Sequence, residues 1–193
     1  MKYFVTGATG FIGGRVARML VAAGHKVIAV ARNPAAAADL SNLGVRVVAG
    51  DVTDKDSLRA PMTGADGVYH IAGWYKVGVK DKSQAVKINV DGTRNVLEVM
   101  QELAIPRGVY TSTLAVNSDT HGRVVDETYH TDGPFLSEYD RTKWVAHYQV
   151  AEPMMRDGLP LIIVMPGVVY GIGDTSSTRT TFLQYLERRL PVI

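Results

Sequence analysis

The sequence contains no cysteine. Disulfides, thiolate-bound zinc and thiol nucleophiles are therefore excluded. It also has no apolar run long enough to span a bilayer. Its amino terminus runs from one lysine straight into a strand-like segment, without the apolar core of a signal peptide. A dominant charge is missing too: 21 Lys and Arg stand against 19 Asp and Glu, a formal net charge of +2. No basic run longer than Arg188-Arg189 disturbs that balance, so neither nucleic acid nor an acidic membrane is an expected partner. The five histidines, at 25, 70, 121, 130 and 147, lack zinc spacing such as H-E-x-x-H, and no metal is expected. What remains is a chain that is 46% hydrophobic and 21% charged, enough for a real core, with the cytoplasm as its expected setting.

Short β-branched apolar runs alternate with helical stretches. The strand candidates are Lys2–Thr6, Lys26–Ala31, Arg46–Ala49, Gly67–Ile71, Gly108–Ser112 and Leu161–Met165, each nearly all apolar as strands buried on both faces should be. Helices are expected over Phe11–Ala23, Ala35–Leu43, Lys55–Thr63, Ser83–Leu103 and Ser137–Arg156, with Gly24, Gly44, Gly64 and Gly158 at capping positions. This alternation predicts an α/β Rossmann fold: a doubly wound parallel sheet with helices on both faces, over residues 1–166. From 167 to 193 the pattern changes to Gly, Asp, Ser and Thr followed by a helical segment, expected to begin a small substrate-binding lobe.

Thr6–Gly14 reads "TGATGFIGG", a G-x-x-G-x-x-G loop of Gly7, Gly10 and Gly13 between a strand and a helix. Glycine lets the backbone approach a phosphate closely, and the helix N-terminus aims N–H groups at the anion. Such a loop predicts a dinucleotide, although ligand-free turns of this kind also occur. An NAD ribose is usually held by a carboxylate about 20 residues past the loop. Here the second strand ends in Ala31-Arg32-Asn33, and Arg32 suits a 2′-phosphate. NADP is therefore expected over NAD, with a solvated surface arginine as the alternative. Asp51, after the third strand, is placed either to accept from the adenine amino group or to cap the next helix.

Tyr139 and Lys143 form Y-x-x-x-K on a helix whose expected N-cap is Ser137, and residues four apart share a helix face. A phenol ionises only at a pH of about 10, so acid–base work at neutral pH needs a neighbouring cation. A surface Tyr/Lys pair would look the same in sequence. At the end of the fifth strand, in "YTSTLAV", a hydroxyl from Thr113 or Ser112 could hold a substrate carbonyl.

Taken in order, "TGATGFIGG", "GDVTD", "HIAG", "NVDGTRNVLE", "YTSTLAV", "YDRTK" and "PGVVYGIGD" resemble the extended short-chain dehydrogenases/reductases. That group includes nucleotide-sugar epimerases and dehydratases and dihydroflavonol-4-reductase-like enzymes. The resemblance implies that Gly7, Thr9, Gly10, Phe11, Ile12 and Gly13 hold the pyrophosphate, and that Asp51 and Val52 meet the adenine. It implies that Ile71, Ala72, Gly73, Asn89, Thr111 and the loop Pro166, Gly167, Val168 and Val169 line the cofactor. Thr113 matches the catalytic Ser/Thr position, Tyr139 the acid–base residue and Lys143 its ribose-binding partner, while Trp74, Thr113 and Tyr170 fall on the substrate side. The implied activity is hydride transfer between nicotinamide and a carbonyl or carbinol carbon of a small molecule. An epimerase/dehydratase is the close alternative, and a non-catalytic dinucleotide sensor the alternative of another class. Members usually continue beyond the point where this chain ends, so a C-terminally truncated form is expected. An open sheet edge would then favour association into a homo-oligomer.

Overall fold

The computed structural model describes residues 1–75 and 80–190. Residues 76–79, soon after Trp74, lie outside the described residues, as do 191–193 of the expected substrate-binding lobe.

The described strands are β1 Lys2–Thr6, β2 Lys26–Ala31, β3 Arg46–Ala49, β4 Gly67–His70, β5 Gly108–Thr111 and β6 Leu161–Val164. They form one parallel sheet in the order β3-β2-β1-β4-β5-β6. This is the doubly wound α/β fold expected from the alternation. Strand order reverses between β1 and β4, where sheets of this type open a ligand crevice beyond their carboxyl ends.

Because side chains alternate across a strand, neighbours feed opposite cores. Phe4 joins Leu58, Met62, Leu97 and Tyr110 on one face, and Val5 joins Ala17, Ala29 and Leu40 on the other. Leu58 and Met62 belong to α3 Asp56–Met62, whereas Ala17 and Leu40 come from α1 Phe11–Ala22 and α2 Ala38–Asn42. Full burial of one such apolar side chain stabilises the fold by about 2 kcal/mol.

Burial on both faces holds for the central strands but not for the outer ones. β3 has no buried residue, and on β6 Ile162 and Val164 are 65% and 39% exposed, because each is an edge of the sheet among the described residues.

The helices also depart from simple α geometry. Over the expected helix 35–43, Pro34–Ala37 is a 3-10 turn that Asn33 caps by accepting from Ala35 N, and only α2 continues it. A π-type segment, Lys87–Asp91, joins α4 Ser83–Val86 to α5 Gly92–Glu102. Another, Val145–Ala151, joins α6 Glu138–Trp144 to α7 Glu152–Arg156. In the first, Thr93 Oγ1 donates to the Asn89 carbonyl at 2.6 Å, a side-chain insertion of the kind that widens a helical ladder. The terminal helix, α8 Ser177–Leu186, buries none of its residues.

The turn from β1 into α1 is closed by backbone alone. A Cβ on Gly13 would lie 2.2 Å from the Gly7 carbonyl oxygen, and one on Gly7, whose φ is +72°, 2.7 Å from Ala72 N. No L side chain fits either place without moving main chain. Gly24, after α1, differs: it has φ +78° but open space around it. Gly13→Ala is therefore expected to lower stability by about 3 kcal/mol, and Gly24→Ala by about 1 kcal/mol. Urea unfolding of both variants decides this, and equal losses would sink the packing argument.

Candidate active site

The site is assembled where β1, β4 and β5 end. At the start of α1, the N–H groups of Phe11, Ile12 and Gly13 precede the first residue that an intrahelical carbonyl can serve, and the first turn carries no acidic side chain. Gly10 N–H donates to Gly7 O at 2.9 Å and tightens the loop below them. Unserved N–H groups at a positive helix end, with no acidic side chain beside them, fit a pyrophosphate.

Lys143 is 4% exposed, and Nζ donates to Tyr110 Oη at 3.0 Å and to the Thr111 carbonyl at 2.9 Å. Tyr139 lies one turn earlier on α6 and is half-buried. Ser137 caps this helix, accepting from Asp140 N at 3.1 Å and donating to Asp140 Oδ1 at 2.8 Å. The two hydroxyls at the end of β5 separate clearly. Ser112 is 3% exposed, with its Oγ 2.7 Å from His147 Nδ1. Thr113 Oγ1 accepts from Ala115 N at 3.2 Å, which leaves its hydrogen for another oxygen.

Asn89, 1% exposed, ties the two sides of the crevice together. Its Oδ1 accepts from Trp74 N at 2.7 Å, and Nδ2 donates to Trp74 O at 3.0 Å and Thr142 Oγ1 at 2.9 Å. Trp74 is itself buried, whereas Tyr75 is 65% exposed. Ile71 and Ala72 donate their N–H groups to Thr6 Oγ1, both at 3.1 Å, and Gly73 follows them to the surface.

Where the adenine end is expected, Arg32 is exposed and has no hydrogen-bond or ionic partner among the described residues. Asp51 Oδ1 accepts from Thr53 N and Thr53 Oγ1, both at 2.9 Å, so its carboxylate shapes a turn rather than capping α3. Val52 packs into the core beside Gly92. On the opposite rim, Pro166 O accepts from Leu114 N at 3.1 Å, while Val168, Val169 and Tyr170 are exposed. Tyr170 packs on Phe182 of α8 with ring centroids 4.6 Å apart. Arg15 on α1 donates to the Ile172 carbonyl, fastening this rim to the phosphate loop.

Sequence reasoning missed the buried polar shell beneath these groups: Thr6, His70, Thr93, Tyr110, Thr142 and His147. A usable signal was there, since His70 stands inside the otherwise apolar strand "GVYHI".

A family model described as "NAD dependent epimerase/dehydratase family" matches residues 3–191. The chain is 35% identical, over 98% of its length and 56% of the relative's, to a protein of Synechocystis sp. provisionally named dihydroflavonol 4-reductase. It is 32% identical to cinnamoyl-CoA reductase 1 of Oryza sativa subsp. japonica, over 86% of this chain and 53% of that protein. Among solved structures, that of gox2253 superposes with a TM-score of 0.84 at 30% identity, covering 98% of this chain and 58% of the other. The chain thus spans a little over half the length of the relatives it matches.

The buried histidines set the response of the site to acid. Burial, and then the Lys143 charge, push His70 down to about 3. Burial is also the main cause that lowers His147, to about 4. Both ordinarily titrate at 6.5, so the unfolded chain takes up these protons first as pH falls. Stability contributed by the neutral imidazoles is complete above 6.5 and declines from there toward 4 and 3. Between pH 7 and pH 5 each histidine should remove about 2 kcal/mol. Urea midpoints at the two pH values should show that loss, and His147→Gln should make it smaller. A stability unchanged over this range would contradict neutral burial.

Proposed function

Because the chain belongs to the NAD dependent epimerase/dehydratase family, we propose that it moves a hydride between NADP and the carbonyl or carbinol carbon of a small molecule. The observation that carries this reading is the state of Lys143. It is a buried ammonium with two of its three N–H groups committed to Tyr110 and Thr111, one helical turn from Tyr139. A cation is rarely buried so deeply for packing alone, and a sensor that only binds a dinucleotide has no need of it.

A bound nicotinamide supplies or takes the hydride. Lys143 has one N–H left, which would hold the ribose hydroxyls. In the reducing direction Tyr139 gives its phenolic proton to the carbonyl oxygen, and the free hydroxyl hydrogen of Thr113 holds that oxygen as charge develops. Phe11, Ile12 and Gly13 would hold the pyrophosphate through their N–H groups. Arg32, exposed and unpartnered among the described residues, is free to take a 2′-phosphate.

The substrate side favours a reductase over a nucleotide-sugar epimerase. Leu114, Val168 and Tyr170, which flank Thr113 and the 166–170 loop, are 50%, 73% and 63% exposed and apolar, a surface suited to an apolar carbonyl compound rather than a diphosphate. Residues 167–190 would form the beginning of the substrate-binding side.

In a version of the protein as long as its relatives, Tyr139→Phe should abolish reduction of aromatic ketones by NADPH, a fall of at least about a hundredfold, while NADPH affinity stays within a few-fold by fluorescence titration. Surviving turnover would remove Tyr139 from its role. NADPH should bind at least about tenfold more tightly than NADH, and Arg32→Ala should erase the difference. Equal affinities in the unaltered chain would end the 2′-phosphate assignment.

A further inference from the structure

Thr6, His70 and Tyr110 are register partners on the adjacent strands β1, β4 and β5, a polar row crossing an apolar sheet. Each is at most 1% exposed. His70 is the middle member, and both of its ring nitrogens are engaged. Nδ1 lies 2.8 Å from Thr6 Oγ1, and Nε2 lies 3.0 Å from Thr93 Oγ1.

The hydroxyl neighbours determine which nitrogen carries the proton. Thr93 gives its only hydroxyl hydrogen to the Asn89 carbonyl at 2.6 Å, so toward His70 it can only accept. Nε2 must therefore be the N–H. Thr6 Oγ1 accepts from Ile71 N and Ala72 N, both at 3.1 Å, which uses both lone pairs. Its hydrogen is left for His70 Nδ1, which must be bare. A second ring proton would present Thr6 with three donors and two lone pairs. The neutral Nε2–H form is the one that satisfies every group.

We propose that His70, as this single tautomer, is a positioning residue that sets the phosphate loop and the Lys143 helix in register with each other. Toward the loop, it fixes the Thr6 hydroxyl that holds Ile71 and Ala72, the backbone against which Gly7 packs. Toward the helix, Thr93 passes the connection to Asn89, which holds both Trp74 and Thr142, the residue before Lys143. The ring also stacks on Tyr110, with centroids 5.5 Å apart and planes 17° apart, and Tyr110 Oη accepts from Lys143. Both halves of the crevice thus meet at one imidazole. Its low affinity for a second proton, about 3, agrees with this arrangement.

The inference rests on the function proposed above, and the test separates the two. Long-range 1H–15N spectra of the 15N-labelled chain should show His70 as the Nε2–H tautomer, without titration between pH 5 and pH 8. Thr93→Val removes the acceptor for that proton. It should mix the tautomers and shift the amide signals of Ile71 and Ala72, on the far side of the ring. An Nδ1–H tautomer, titration within that range, or unmoved Ile71 and Ala72 signals would each overturn the proposal, whether or not NADPH binds. In NADPH titrations, His70→Phe keeps a ring against Tyr110 but loses both hydrogen bonds, and should bind about tenfold more weakly. His70→Gln, which restores an N–H toward Thr93, should recover most of that loss. Wild-type affinity in a folded His70→Phe chain would also overturn the proposal. A wild-type chain that binds no NADPH would end the proposed function and leave the spectra to decide about His70.

Discussion

The contact on which the molecule depends is main chain against main chain, where the first turn of α1 sits on the Gly7 carbonyl and Gly7 in turn sits on Ala72. No side chain intervenes, so β1, α1 and the segment after β4 lie as close as peptide planes allow. That closeness brings the positive end of α1 over the point where strand order reverses. The carboxyl end of β5 and the helix that begins at Glu138 are then built around this fixed centre. Loosening it by one methyl group would move every element of the crevice at once.

Around that centre the polar groups are arranged so that almost nothing buried is left unpaired. Among the described residues the buried side-chain atoms without a partner are Asn117 Oδ1 and Trp144 Nε1. Asn89, His70, Ser112 and His147 each find partners inside the protein. Both imidazoles are held neutral, which leaves Lys143 as the buried cation among them. A polar network in a low-dielectric interior is rigid when fully satisfied. Rigidity is what a site needs if its donors are to stand where charge will develop rather than reorganise to meet it.

Much of the fold could be read directly. Lys2–Thr6, Lys26–Ala31 and Arg46–Ala49 have the expected limits, and the other strands stop one residue short. Two things were hidden, for different reasons. Periodicity records which residues are apolar, and it cannot say that Arg46–Ala49 and Leu161–Val164 become edges, because strand order is a property of the whole chain. Nor does it show where a helix widens, since the π segments at Lys87–Asp91 and Val145–Ala151 keep a helical pattern of burial. At the candidate site, the glycines, Tyr139 and Lys143 were visible because they stand in an ordered set of motifs, although neither spacing is telling alone. His70, Tyr110 and His147 were not, because a polar residue with its partners far off in sequence looks like an interruption. His70 meets Thr6 across 64 residues and Thr93 across 23. Chemistry alone left Ser112 and Thr113 equivalent, the resemblance pointed to Thr113, and His147 facing Ser112 gives the physical difference between them.

The rim of the crevice is made differently from its floor. Leu114, Val168, Val169 and Tyr170 are all exposed, and their side chains belong to neither core. Arg15 grips this rim through the Ile172 carbonyl, an attachment indifferent to which side chains the rim carries. The floor therefore constrains inheritance and the rim does not. A lineage could exchange the rim residues one at a time, changing the surface they present, without passing through a chain whose cores fail to close.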